Sequence, residues 1–179
     1  MIELNFSPFP VLETERLVLR VLQPCDANNI FALRSNDEIN QYINRKKAET
    51  IDDALKFIER ITQNIARNET LLWAIELKKD KSFAGSALLW NIKKEKNEIE
   101  VGYELLPAFQ GKGIASEAIK AVIDFAFNAL EAETIVAVVD KRNTASLKLL
   151  QHLNFVYSGK HEGEIGVDEY VLNSKNYIQ

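Results

Sequence analysis

Residues 99–116 read IEVGYELLPAFQGKGIAS, a strand pattern that leads into a glycine-rich turn and then a helix pattern. The first part alternates apolar and polar side chains, which is typical of a strand with one buried face. The turn holds Gly111 and Gly113, and glycines let a ligand approach the main chain closely. The start of a helix also offers unpaired N–H groups to an anion. The stretch therefore predicts a strand, a turn that suits phosphate, and a helix.

The turn does not match either of two well-known nucleotide-binding motifs. A P-loop needs Ser or Thr after its Gly-Lys pair and an earlier glycine, but Lys112 is followed by Gly113 and position 106 is leucine. Ser116 supplies the third small residue of the dinucleotide-binding fingerprint. However, no N-terminal parallel strand–helix–strand unit surrounds the turn. A purely structural glycine turn stays open on this segment alone.

Strand and helix patterns alternate on both sides of this stretch. The predicted strands lie at about 16–22, 71–77, 83–91, 98–106, 135–139, 155–158 and 168–173. The predicted helices lie at about 24–34, 50–67, 115–129 and 143–153. Trp73 and Trp90 fall on predicted strands, where we expect core packing, and a place in the lining of the acceptor cleft is the alternative for Trp90. This order predicts an α/β chain, with an α+β mixed sheet that is mostly antiparallel and has helices on both faces.

Composition narrows the class of protein. The chain has 179 residues and a net charge of −4, which suits a single domain over residues 1–179 and argues against a nucleic-acid binder. One cysteine excludes an internal disulfide, and with two histidines it argues against a metal site, so we expect no metal. No apolar run is long enough to span a bilayer, and no basic leader is present. We therefore expect a cytoplasmic protein without membrane contact.

Gln110, Gly113 and Ala115 match the Arg/Gln-x-x-Gly-x-Gly/Ala pyrophosphate loop of the GCN5-related N-acetyltransferases, the GNAT superfamily. Other segments resemble the same family: the strand before the loop, Asn143-Thr144-Ala145-Ser146 after a buried strand, and LETERLVLR near the start. Together they resemble the subgroup that includes the ribosomal-protein N-terminal acetyltransferases. The resemblance covers about residues 10–173.

The resemblance implies a fold and a donor. A V-shaped split separates the strand before the loop from its parallel neighbour, and acetyl-CoA lies in that split as co-substrate. The pantetheine arm is expected to pair with the main chain of Glu104, Leu105 and Leu106. Asn143 is expected to bond to this arm, to cap its own helix, or to do both. The residues expected to bind the pyrophosphate are Gln110, Gly111, Lys112, Gly113, Ile114, Ala115 and Ser116.

Acetyl transfer to an amine needs a base for the amine and benefits from a donor to the departing thiolate. Glu98, Glu100 and Glu104 share one face of the predicted strand. Glu100 matches the family position of a catalytic glutamate, and a solvent-facing stripe of acids is the alternative. Ser146 matches a serine of the subgroup that protonates the thiolate, and helix capping is the alternative. Leu150 stands where many family members carry a tyrosine, and it cannot donate a proton.

The implied activity is acetyl transfer from acetyl-CoA to a primary amine by direct attack in a ternary complex. A protein or peptide N-terminus is the expected acceptor. Two alternatives stay open: a small-molecule amine such as a polyamine, amino acid or antibiotic, and a non-catalytic acyl-CoA-binding sensor. The helices at about 24–67 and the segment at about 159–168 are expected to shape the acceptor site. Monomer and homodimer are both compatible with the sequence.

Overall fold

A computed structural model describes residues 2, 4–161 and 165–177. These residues form an eight-stranded sheet in the order β1-β2-β3-β4-β5-β6-β8-β7. The strands are β1 (Leu12–Glu13), β2 (Leu17–Val21), β3 (Leu71–Leu77), β4 (Phe83–Lys93), β5 (Glu98–Leu105), β6 (Thr134–Asp140), β7 (Val156–Lys160) and β8 (Val167–Asn173). Neighbouring strands are antiparallel except β5 and β6, which are parallel. The predicted mixed sheet is confirmed; residues 162–164 of the expected acceptor segment lie outside the described residues.

The helices are α1 (Ala27–Ser35), α2 (Asp37–Asn40), α3 (Ile51–Ala66), α4 (Ile114–Asn128) and α5 (Thr144–His152). The short helix α2 was not predicted, because a single turn carries too little periodicity to be read. In the described ranges, no helix combines the length and apolar character that crossing a membrane requires.

Helices pack on both faces of the sheet. On one face, α4 and α5 share a core with side chains such as Trp73 and Ile99. On the other face, α1 and α3 pack against side chains such as Leu72 and Ala74. Trp73 is fully buried, as predicted, but 44% of Trp90 is exposed, so the prediction of core packing is wrong there. Trp90 lies beyond Leu88, which packs against the α1 and α3 core.

The parallel pair β5 and β6 is joined at only three positions, of which the last is Glu100 opposite Val136. Beyond that point β5 continues to Leu105 on β4, whereas β6 continues to Asp140 on β8. The facing edges are therefore unpaired. We call the gap between residues 101–105 of β5 and 137–140 of β6 the wedge. It confirms the predicted V-shaped split.

Candidate active site

The glycine-rich loop connects the end of β5 to the start of α4 at the open end of the wedge. Gly111 (φ +69°) and Gly113 (φ +75°) both have left-handed backbones, which favour glycine. From Gly111 to Ser116, the six main-chain N–H groups have no hydrogen-bond partner among the described residues. Six free donors at the positive end of a long helix fit an anion of diphosphate size.

Gln110 holds the loop in shape instead of adding a donor to it. Its side-chain Nε2 donates to the carbonyl of Leu105 at 3.0 Å, and its main-chain N–H donates to Pro107 at 3.2 Å. The predicted set of free N–H groups therefore begins at Gly111 and not at Gln110. Lys112 is exposed, and it stays a candidate only for screening phosphate charge.

A cluster that we call the loop clasp, formed by Thr14, Arg16 and Glu117, anchors the loop to the start of the sheet. The Glu117 carboxylate accepts from the Thr14 hydroxyl at 2.5 Å and from Arg16 Nε at 2.6 Å. Arg16 Nη1 also donates to the carbonyl of Lys112 at 3.0 Å. No role for these side chains was predicted from the sequence. Arg16 and Glu117 are 101 positions apart, and no spacing rule connects them.

We expect Arg16→Gln to raise the Kd for coenzyme A about tenfold, because the carbonyl of Lys112 and the Glu117 carboxylate each lose a charged donor. Isothermal titration calorimetry measures this change directly. Arg67→Gln is the matched control, since Arg67 forms an exposed ion pair with Glu69. Equal Kd values for the two variants would show that the loop clasp does not shape the binding loop.

Pairing with β4 decides which main-chain groups of β5 point into the wedge. Leu106 donates its N–H to the carbonyl of Ala84 at 2.9 Å. Hydrogen bonding alternates along an antiparallel pair, so Glu104 also points towards β4, whereas Tyr103 and Leu105 point into the wedge. Of the three residues expected to pair with the pantetheine arm, only Leu105 has its N–H directed into the wedge, and the N–H of Tyr103 is directed the same way. The pairing of Glu104, Leu105 and Leu106 with the arm stays a prediction.

Glu100 lies at the closed end of the wedge, on the face of the sheet opposite the α4 core. Its side chain is buried, with 9% of the residue exposed, so the alternative of a solvent-facing acid does not hold here. Oε2 accepts a hydrogen bond from Asn91 Nδ2 at 3.0 Å. Burial raises the pKa of Glu100 above its ordinary value, although the Asn91 hydrogen bond opposes this in part. A carboxylate with a raised pKa is better matched to removing a proton at neutral pH.

The other two acids of β5 are held in ion pairs. Glu98 pairs with Lys93 at 2.5 Å, and Glu104 pairs with Arg45 at 2.6 Å. Both carboxylates are thus already bound to a cation, whereas the side chain that bonds to Glu100 is the neutral amide of Asn91. Glu100 is therefore the best candidate base on this strand.

Asn143 and Ser146 lie at the start of α5, across the wedge from β5. Asn143 Oδ1 accepts from the main-chain N–H of Ser146 at 3.1 Å, so Asn143 caps the helix. The phenol of Tyr103 lies near the Ser146 side chain. Burial raises the pKa of Tyr103 to about 12, and Ser146 offsets part of this effect. Even so, the Tyr103 hydroxyl is buried and has no partner with hydrogen-bond geometry in the part of the chain that the structure describes.

Comparison with known proteins gives consistent results. The family model for the acetyltransferase (GNAT) domain matches residues 16–156. The chain is 35% identical over 151 residues to the uncharacterized N-acetyltransferase YoaA of Bacillus subtilis (strain 168), which covers 84% of this chain and 85% of that protein.

Two solved structures share the fold. The spermidine N-acetyltransferase from Vibrio cholerae, in complex with CoA and spermine, is 24% identical with a TM-score of 0.81; the match covers 93% of this chain and 100% of that chain. The ribosomal-protein-S5-alanine acetyltransferase from Vibrio fischeri is 22% identical with a TM-score of 0.79, and the coverage is 95% and 100%.

Proposed function

This chain belongs to the GNAT acetyltransferase family, and from that premise we propose that it transfers the acetyl group of acetyl-CoA to the N-terminal amine of a protein or peptide. One observation carries the proposal. A single gap in the sheet has six free N–H donors at its open end and a buried glutamate with a raised pKa at its closed end. This arrangement suits a long donor with an anionic end and a reactive end.

The residues of the wedge fit acetyl-CoA along its length. The main chain from Gly111 to Ser116 would hold the diphosphate. The free edge of β5 at Tyr103 and Leu105 would pair with the pantetheine arm as an added strand does, because the main-chain groups of Tyr103 and the N–H of Leu105 lack a strand partner among the described residues. The carbonyl of Leu105 already accepts from Gln110 Nε2. The thioester would then lie towards Glu100, where β5 and β6 come together.

The chemistry follows from these positions. The amine nitrogen attacks the thioester carbon, and Glu100 takes the amine proton directly or through a water molecule. A main-chain N–H on the wedge side of Tyr103 or Leu105 donates to the oxyanion that develops on the carbonyl. The carbon–sulfur bond then breaks, and coenzyme A leaves as a thiolate near Ser146.

We propose a protein N-terminus as the acceptor because its amine is a weaker base than an alkyl amine. A protein N-terminus has a pKa of about 7.7–8.0, whereas an alkyl ammonium has a pKa of about 10.4. The difference of roughly 2.5 units makes the N-terminal amine easier to deprotonate by roughly 3.5 kcal/mol. A glutamate, even with a raised pKa, is matched to the less basic amine.

Charge on the acceptor side of the sheet supports the same choice. A polyamine needs free carboxylates, but Glu98 and Glu104 are bound to cations. These two pairs leave less negative charge near Glu100 for a second or third ammonium group.

The proposal predicts turnover with peptides that have a free N-terminus and much less with spermidine. Thiol release from acetyl-CoA at pH 7.5 measures this, and the same peptides with a blocked N-terminus are the matched control. We expect kcat/KM for the free peptides to exceed that for spermidine at least about tenfold, in line with the basicity difference. Faster turnover of spermidine would favour the small-amine alternative, and binding of CoA without turnover of any amine would favour a sensor.

A further inference from the structure

The Tyr103 hydroxyl is not used by the reaction as described above. It is buried, and it lacks a hydrogen-bond partner among the described residues. A buried hydroxyl without a partner loses free energy relative to water, so such groups are uncommon in folded proteins. The hydroxyl therefore points to an atom that enters the site during function.

The position of the phenol indicates which atom that is. Tyr103 belongs to β5, while Ser146 belongs to α5, which follows β6. At this level the two strands have separated, and the ring packs against the core of α4 and α5, with its phenol beside Ser146. Tyr103 is three positions from Glu100 but seven positions from Gln110. It is thus closer along the chain to the reacting end of the donor than to the diphosphate end.

We propose that the Tyr103 hydroxyl, placed beside Ser146, donates a hydrogen bond to the sulfur of the acyl donor and stabilises the thiolate as it leaves. This inference rests on the proposed function. The carbon–sulfur bond breaks with its electron pair on sulfur, and the amine proton goes to Glu100 and then to water. The thiolate takes its proton from water after release, so no other reactant is needed.

Tyr103 acts as a hydrogen-bond donor and keeps its proton. Burial raises the pKa of Tyr103 to about 12, whereas a thiol has a pKa of about 8.5. Full transfer to the thiolate would therefore be unfavourable. A neutral phenol that donates to a developing negative charge makes a strong hydrogen bond, and it makes only a weak one to the uncharged thioester sulfur. The contact therefore favours the transition state over the bound substrate.

The test compares Tyr103→Phe with wild type on two ligands, coenzyme A and desulfo-coenzyme A, by calorimetry at pH 9, where much of the thiol is ionised. We expect the variant to bind coenzyme A about tenfold more weakly, with the affinity for desulfo-coenzyme A unchanged. We also expect kcat to fall about tenfold while the KM for the peptide acceptor stays the same. A side chain that only shapes the wedge would change both ligands alike.

Tyr177→Phe is the matched control, because it also removes a tyrosine hydroxyl, one that donates to Asp124 Oδ1 at 2.8 Å, away from the wedge. It should not discriminate between the two ligands. Equal losses for both ligands in Tyr103→Phe, or no loss for either, would overturn the role at sulfur and leave the proposed function standing. Failure of the wild-type protein to bind either ligand would overturn the proposed function and this inference with it.

Discussion

Replacement of Glu100 by glutamine is expected to lower kcat/KM for a peptide N-terminus about 100- to 1000-fold at pH 7, within the usual range for losing a general base. Glutamine keeps the size of the side chain and can still bond to Asn91, so the loss reports on proton removal. Initial rates of thiol release measure it. A rate within about threefold of wild type at pH 7 would exclude Glu100 as the base.

The pH profile makes this prediction more specific. Below pH 8 the N-terminal amine is mostly protonated, and the enzyme has to remove a proton before attack. Above pH 9 most of the amine is already neutral, so the deficit of Glu100→Gln should shrink by about an order of magnitude. A deficit that stays constant from pH 6 to 9 would indicate that Glu100 positions the substrate without taking its proton.

Thermal unfolding separates this effect from a folding defect. The pKa of Glu100 is raised in the folded protein, so the folded state holds that proton more tightly than the unfolded state does. Ionising Glu100 therefore destabilises the protein. This penalty is absent below the unfolded-state pKa of about 4.3 and complete above the raised folded-state pKa. Glutamine carries no such penalty, so the Tm of the variant at pH 7 should equal or exceed that of wild type.

Gly113→Val is expected to weaken coenzyme A binding about 100-fold. Valine is strained at φ +75°, and relief of the strain would turn the N–H groups at the start of α4 away from the diphosphate. Loss of one or two charge-assisted hydrogen bonds accounts for a change of this size. The Cβ atom would lie 3.4 Å from Arg16 Nη2, an ordinary van der Waals contact, so the strain lies in the backbone. Calorimetry with coenzyme A measures the loss.

Gly166→Val is the matched control for backbone strain. Gly166 has φ +86° and lies just before β8, outside the glycine-rich loop. Both variants should lose stability, but only Gly113→Val should lose affinity. Similar affinities in the two variants would show that the main chain from Gly111 to Ser116 does not bind the diphosphate.

The fold could be predicted from the sequence because the patterns that indicate it involve residues close together in the chain. The alternating residues of β5, the glycines of the loop and the Thr50 cap of α3 each depend on neighbours within a few positions. The cap forms in the structure, where the side chain of Thr50 accepts from the main-chain N–H of Asp53. The family resemblance rested on such segments too, and with them the split sheet was predictable.

The interactions that position and pair the side chains of the site could not be predicted, because they join residues far apart in the sequence. Arg16 reaches Glu117 across the fold, and Arg45 neutralises Glu104 from the segment between α2 and α3. The direction of the main chain at Leu106 depends on pairing with β4. The exposure of Trp90 depends on where helix coverage of the sheet ends. None of these follows from periodicity or composition.

If the proposed function holds, the short parallel ladder between β5 and β6 would make the acyl donor a structural part of the protein. With only three paired positions, the two halves of the sheet share few hydrogen bonds, and the amides of Tyr103 and Leu105 have no strand partner among the described residues. A bound pantetheine arm would act as a removable strand that bridges the halves. Each turnover would then complete the sheet and open it again. Hydrogen exchange at these amides should slow when the donor binds, and the melting temperature should rise with donor concentration.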